Sequence, residues 1–191
     1  MVQTLVKRAR KGDQQSIYRL YKMYVKAMYN VSIRIVANHL DAEDILQESF
    51  ASAFCNLAAY KGESSFGTWL KRIVINKSLN HVKKQKLWFA DSMYLPEMGD
   101  VSEDDKLSDD IILSDISPEM VQEAIKTLPA KAKIVLSLYL LEDYGHKDIA
   151  QMLDISESTS KSQYQRARKL LQERLLEMVH QKTVKNKYHE V

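Results

Sequence analysis

The chain contains one cysteine, three prolines and five glycines among its 191 residues. One cysteine excludes an internal disulfide and any zinc cluster built on cysteine pairs, and it suits a reducing compartment. Few helix breakers among long runs of Leu, Ile, Lys and Glu argue for an all-helical protein. No run of about 18 or more apolar residues could span a membrane, and no early apolar stretch reads as a signal peptide. The cytoplasm is therefore the expected location, with no membrane insertion. Metal-ligand spacings, an activated nucleophile and a phosphate-cradling loop are missing too, and the five histidines are scattered. The chain reads as a protein without catalysis, metal or cofactor.

What is present is charge, unevenly placed. The formal net charge of +3 conceals residues 91–119, which hold ten Asp and Glu against the single base Lys106. Two basic bodies joined by an acidic strap is the expected organisation. The strap, with Pro96, Gly99 and no sustained period, reads as a mobile linker over residues 88–117. An N-terminal helical domain at 1–87, a C-terminal helical domain at 118–180 and a basic tail at 181–191 complete the division.

The C-terminal body is organised around residues 145–171, which read as two helices joined by a tight turn. Ile149, Ala150 and Leu153 give the first an apolar side. Asp154 tolerates the left-handed conformation a turn requires, and Ser156 caps the second helix with Glu157 in its first turn. Ser160, Tyr164, Ala167, Leu171, Leu175 and Met178 form one stripe. Across from it lie Ser158, Thr159, Lys161, Ser162, Gln165, Arg166 and Lys169, polar side chains able to bond bases and phosphates. This is the form of a DNA-reading helix-turn-helix, although a plain amphipathic hairpin with a solvated basic face has the same pattern. Upstream, Pro118 opens a helix ending near Leu128 and Pro129 starts another, whose Ile134, Val135, Leu138 and Leu141 would pack against the motif.

In the N-terminal body Asp13 is placed to cap a long helix running to about residue 38. Ile17, Leu20, Tyr21, Tyr24, Met28, Val31 and Ile35 recur there at core spacing, which makes the tyrosines packing residues. A second helix starts with Asp41 as cap and buries Leu46, Phe50, Ala53, Phe54 and Leu57, with Cys55 as a small packed residue. Asp44, Gln47 and Glu48 share an outward face, suited to docking a basic partner; nothing nearby would raise a carboxyl pKa for acid–base work. Gly62 then breaks the chain, and Tyr60, Lys61, Glu63, Ser64 and Ser65 form a polar loop. A helix from about Ser65 carries Phe66, Trp69, Lys71, Arg72, Asn76, Lys77 and Asn80. Stacking faces, phosphate contacts and base-edge donors together are what gripping single-stranded nucleic acid requires, though an ordinary core Trp69 on a solvated helix is the competing reading.

These segments together resemble a bacterial RNA polymerase sigma factor of the sigma-70 family, in its extracytoplasmic-function group. DAEDILQESF is similar to the family's second region, YKGESSFGTWLKRIVIN to the adjoining melting segment, and LPAKAKIVLSLYLLEDYGHKDIAQMLDIS with RARKLL to its fourth region. The resemblance implies docking on core RNA polymerase through Asp41, Asp44, Gln47 and Glu48, against the clamp helices of the largest subunit. It implies minus-ten capture and melting by residues 60–80, minus-thirty-five reading by residues 158–169, contact of the C-terminal domain with the polymerase flap, and an anti-sigma factor as regulator. A stand-alone dimeric helix-turn-helix regulator is the alternative. Five positions depart from the family's habit. Asp154 stands for Gly, Ser160 for Val on the buried stripe and Gln163 for Arg, while Asn80 replaces Asp and Gly67 a larger residue. Ser160 is thereby expected to loosen the recognition helix, and Gln163 to lower the charge facing DNA.

Overall fold

The computed structural model describes residues 1–85 and 116–189, with side chains through 182. All regular structure among the described residues is helical, and the chain divides into two compact units, Met1–Leu87 and Trp88–Val191. The acidic segment 88–117 lies outside the described residues except for Ile116 and Ser117.

The first unit is a four-helix body. α1, Val2–Ala9, buries Leu5, Val6 and Ala9; the run of Lys7, Arg8, Arg10 and Lys11 hid this short helix from periodicity. α2, Gln14–Val36, is capped as expected by Asp13, whose carboxylate accepts from Gln15 N at 3.3 Å and from Ser16 Oγ at 2.5 Å. The Ser16 hydroxyl is the main cause holding that carboxyl below its ordinary pKa. α3, His39–Cys55, has Asn38 rather than Asp41 as its cap: Asn38 Oδ1 accepts from Leu40 N at 2.9 Å and Asp41 N at 3.2 Å. The left-handed turn at Ala37 (φ 58°) ends α2 sooner than the apolar pattern suggested and moves the start of α3 forward. Cys55 is exposed, not packed, because it falls in the last turn on the side away from Phe50 and Ala53.

A single-turn helix, Leu57–Ala59, leads to the loop before α4, Phe66–Lys84. α4 inserts Phe66, Leu70, Val74 and Ile75, all essentially buried, between α2 and α3. Burying each such side chain contributes about 1.5–3 kcal/mol. Ser32 and Ser78 meet at 3.1 Å inside this core, and Ser78 Oγ also donates to Val74 O at 2.9 Å, so both buried hydroxyls have partners. Gly67 has a packing reason: a Cβ there would lie 2.8 Å from Cε1 of Tyr24, whose ring rests edge-on against Phe66.

The second unit begins with α5, Pro118–Lys126, where Ser117 Oγ accepts from Met120 N at 3.3 Å and Pro118 occupies the first helical position. α6, Ala130–Leu140, is its central element, with every residue from Ala132 to Leu138 buried. Leu141, expected to pack against the motif, is 49% exposed because α6 ends one residue before it. α7, His146–Leu153, and α8, Glu157–His189, complete the unit; Leu128, Ala132, Leu136 and Ala167 form a core between α6 and α8. α8 continues well past residue 180, where a tail was expected. No described helix is long and apolar enough to cross a membrane.

Candidate nucleic-acid interfaces

Three polar faces carry the residues singled out in the sequence. On α3, Asp44, Gln47 and Glu48 are exposed on one side of the helix. Glu48 Oε2 lies 3.5 Å from Lys77 Nζ of α4, a contact between exposed groups that contributes little to stability. Asp41, half-buried, stands one turn ahead of Asp44 and two turns ahead of Glu48 on the same helix. Its Oδ2 sits 3.2 Å from His81 Nε2 and 3.3 Å from Gln85 Nε2, so it ties α3 to the end of α4. Leu40, 73% exposed, was missed. It precedes Asp44 by one turn and Gln47 by two, which places an apolar side chain in line with the polar ones. With Asp41 as the expected cap, Leu40 falls outside the helix; with Asn38 as the cap, it lies in the first turn.

The second face is the loop ahead of α4 with the outer row of that helix. Gly62 takes φ +83°, a conformation that suits glycine, and Lys61, Glu63, Ser64 and Ser65 are exposed around it. Tyr60 and Phe66 do not belong to the open face. They are 2% and 1% exposed, because their rings pack at 5.8 Å on each other and on Trp69, at 5.4 Å from Tyr60 and 5.8 Å from Phe66. Their part is to shape the loop from beneath. Tyr60 Oη donates to Ser64 O at 2.7 Å, while Arg10 donates through Nε to Leu57 O at 3.1 Å and through Nη2 to Tyr60 O. Arg10 is thus the anchor of the loop, visible only once α1 folds back on it.

The two loop serines differ. Ser65 Oγ accepts from Thr68 N at 3.1 Å and meets Thr68 Oγ1 at 2.8 Å, so its hydroxyl is committed to capping α4. Ser64 Oγ has only a 3.5 Å contact with Ser65 O. Beyond the loop, Thr68, Arg72, Asn76 and Asn80 are exposed at four-residue intervals along α4, with half-buried Trp69, Lys71 and Lys77 beside them. The row combines one guanidinium and two amides on an exposed helix surface, a set that can hold backbone phosphate and base edges.

The third face is α7, its turn and α8. Asp154 adopts φ 57°, ψ 49°, closing α7 in the left-handed conformation that a short polar residue tolerates. Ser156 Oγ accepts from Thr159 N at 2.9 Å and meets Thr159 Oγ1 at 2.8 Å, capping α8 and turning Thr159 toward the cap. Ser160 and Ala167 are fully buried, so the stripe expected to pack does so. Ser158, Ser162 and Lys169 are exposed on the far side, with Gln165 and Arg166 half-exposed beside them. Lys161 Nζ pairs with Glu157 Oε1 at 2.9 Å, an exposed contact weak enough to exchange for a phosphate. This pairing is the leading reason the Glu157 carboxyl sits below its ordinary pKa.

Two expectations about this face are corrected. Gln163 is half-buried, with its Oε1 buried and without a hydrogen-bond partner, so its amide sits at the edge of the packed side and outside the exposed row of α8. Ser160 does not leave a loose seam, because its Oγ lies 3.0 Å from His146 Nδ1. Among the described residues no group of three or more His, Cys, Asp or Glu is placed to hold a metal ion.

Residues 20–87 match the family described as Sigma-70 region 2, and residues 119–171 match that described as Sigma-70, region 4. The RNA polymerase sigma-H factor of Pseudomonas aeruginosa is 30% identical over 179 residues, covering 91% of this chain and 93% of its own length. The ECF RNA polymerase sigma factor SigW of Bacillus subtilis is 27% identical over 184 residues, or 93% of this chain and 98% of that one. Among solved structures, the sigma factor RpoE in complex with the anti-sigma factor NepR from Bartonella quintana superposes with a TM-score of 0.51 at 21% identity. That match covers 83% of this chain and 95% of RpoE, and shows a shared fold.

Proposed function

The chain belongs to the sigma-70 family of RNA polymerase sigma factors, in its extracytoplasmic-function group, and from that premise we propose how its residues divide the work. A sigma factor binds core RNA polymerase and promoter DNA and directs transcription initiation. Here Asp44, Gln47 and Glu48 of α3 dock on the polymerase, with Leu40 as an apolar anchor beside them. Charged partners steer such an interface and fix its register, while the apolar side chain adds desolvated contact.

In the same reading Lys61, Glu63 and Ser64 meet an unpaired minus-ten base, and Arg72, Asn76 and Asn80 follow the strand along α4. Ser158, Ser162, Gln165, Arg166 and Lys169 of α8 meet the major groove of the minus-thirty-five element, with Lys161 leaving Glu157 for a phosphate. The chain carries out no catalysis; it lowers the cost of opening DNA by binding what opening exposes. A cytoplasmic location and control by an anti-sigma factor complete the proposal, the latter supported by the sigma factor of similar fold solved in complex with an anti-sigma factor. A dimeric stand-alone regulator is not favoured, because both sigma regions are matched, in order, within one chain.

The observation that carries the reading is that order, region 2 on the unit with the loop and α4, region 4 on the unit with α7 and α8. The experiment is run-off transcription on genomic fragments with purified core polymerase, with and without the chain. Discrete transcripts that depend on the chain are expected. Identical transcription in both reactions would refute the function.

A further inference from the structure

We propose that His146 is a positioning residue for minus-thirty-five reading: its neutral ring accepts the buried Ser160 hydroxyl and so sets the pose of α8 in the groove. The inference rests on α8 being the helix that faces DNA. Ser160 is fully buried, in a stripe otherwise formed by Tyr164, Ala167 and Leu171. A hydroxyl there is costly unless bonded, and the 3.0 Å contact with Nδ1 supplies a partner. The ring itself is held from two sides. Tyr139 of α6 stacks on it at 4.5 Å and 16°, Tyr164 of α8 meets it edge-on at 5.6 Å, and the two tyrosines lie 4.6 Å apart. Helices α6, α7 and α8 therefore converge on one imidazole, whose partner Ser160 lies two positions along α8 from Ser162 and six from Arg166.

On this proposal the bond sets the ring's chemistry as well as its place. With Nδ1 as acceptor the proton sits on Nε2, since the tautomer follows the hydrogen bond the other nitrogen makes. The groups facing the ring are Tyr139 on α6 and Glu157, Lys161 and Tyr164 on α8. Burial and then Lys161 disfavour a second proton, and Glu157 opposes them; the balance lies below the ordinary value of 6.5. A folded pKa below the free value means the disrupted arrangement takes up a proton first. The contact is therefore intact above 6.5 and weakens as pH falls from there toward the folded pKa. A histidine that merely added charge near DNA would do the reverse and tighten binding in acid.

The test uses the full chain in holoenzyme, with a duplex spanning the minus-thirty-five element of a promoter recovered by run-off transcription. A hydrogen bond of ordinary net strength corresponds to about two- to ten-fold in affinity. His146→Phe and Ser160→Ala should each weaken binding by that factor at pH 7.5, and the double variant no further, since both remove the same contact. His146→Asn, whose amide oxygen takes the place of Nδ1, should restore affinity without the loss on acidification. Nitrogen-15 shifts of the free wild-type chain should report the Nε2–H tautomer, with a pKa that moves in Ser160→Ala. A different tautomer, or a pKa indifferent to Ser160, overturns the proposal even if every variant binds DNA poorly through misfolding. So does intact binding by His146→Phe while Arg166→Ala binds weakly. Should Arg166→Ala bind normally as well, the assignment of α8 to DNA has failed, and the proposal falls with it.

Discussion

Ser64 and Ser65 are adjacent, alike in sequence and opposite in structure, so replacing them one at a time separates folding from strand opening. Ser65 Oγ caps α4 through Thr68, and its loss should cost about 1 kcal/mol in the stability of the first unit. Ser64 Oγ spends almost nothing on the fold, having one 3.5 Å contact. If it bonds the edge of an unpaired base, Ser64→Ala removes about 0.5–1.5 kcal/mol from the open complex alone, or roughly two- to ten-fold in its equilibrium. The assay is permanganate reactivity of unpaired thymines on a matched template and on one already mismatched over the minus-ten element, beside a urea melt of each variant. Ser64→Ala should melt like the wild type, open the matched promoter poorly and recover on the mismatched template, where no unpairing cost remains. Ser65→Ala should shift the urea midpoint. Normal opening of the matched promoter by Ser64→Ala would refute base capture by this hydroxyl.

The other expectations follow from single contacts. Asp44→Lys with Glu48→Lys should weaken core polymerase binding by about 2–5 kcal/mol with helicity unchanged, measured by titration and circular dichroism; unaltered affinity removes this face from the interface. Arg166→Ala should cost about 1–3 kcal/mol in promoter binding and relax preference at one base position, as read by selection from a randomised element. Gly67→Val should destabilise the first unit by about 1–3 kcal/mol through collision with the Tyr24 ring, and a thermal melt no lower than wild type would contradict the packing.

The all-helical class and the helix-turn-helix were legible because their signals are local: three- and four-residue spacing, the Ser156 cap, and Asp154 at a left-handed turn. What escaped the sequence depends on contacts made across the fold. Tyr60 and Phe66 looked like stacking faces for bases, and only the packing of Trp69 shows that each aromatic covers another. Asp41 reads as a cap in the sequence, whereas Asn38 holds that place and Asp41 meets His81 and Gln85 at the end of α4. Arg10 gave no signal because the carbonyls it binds lie 47 and 50 residues away. Ser160 read as a weak point for the same reason, since its partner belongs to another helix.

Hydroxyl-radical footprinting on one promoter fragment, with the chain alone and with core polymerase, tests the central claim most directly. The account predicts two protected blocks upstream of the start site, one at each element. Both should require core polymerase; the downstream block should fade in an Arg72→Ala, Asn76→Ala variant and the upstream block in Arg166→Ala. A symmetric pair of blocks protected by the chain alone, indifferent to core polymerase, would contradict it.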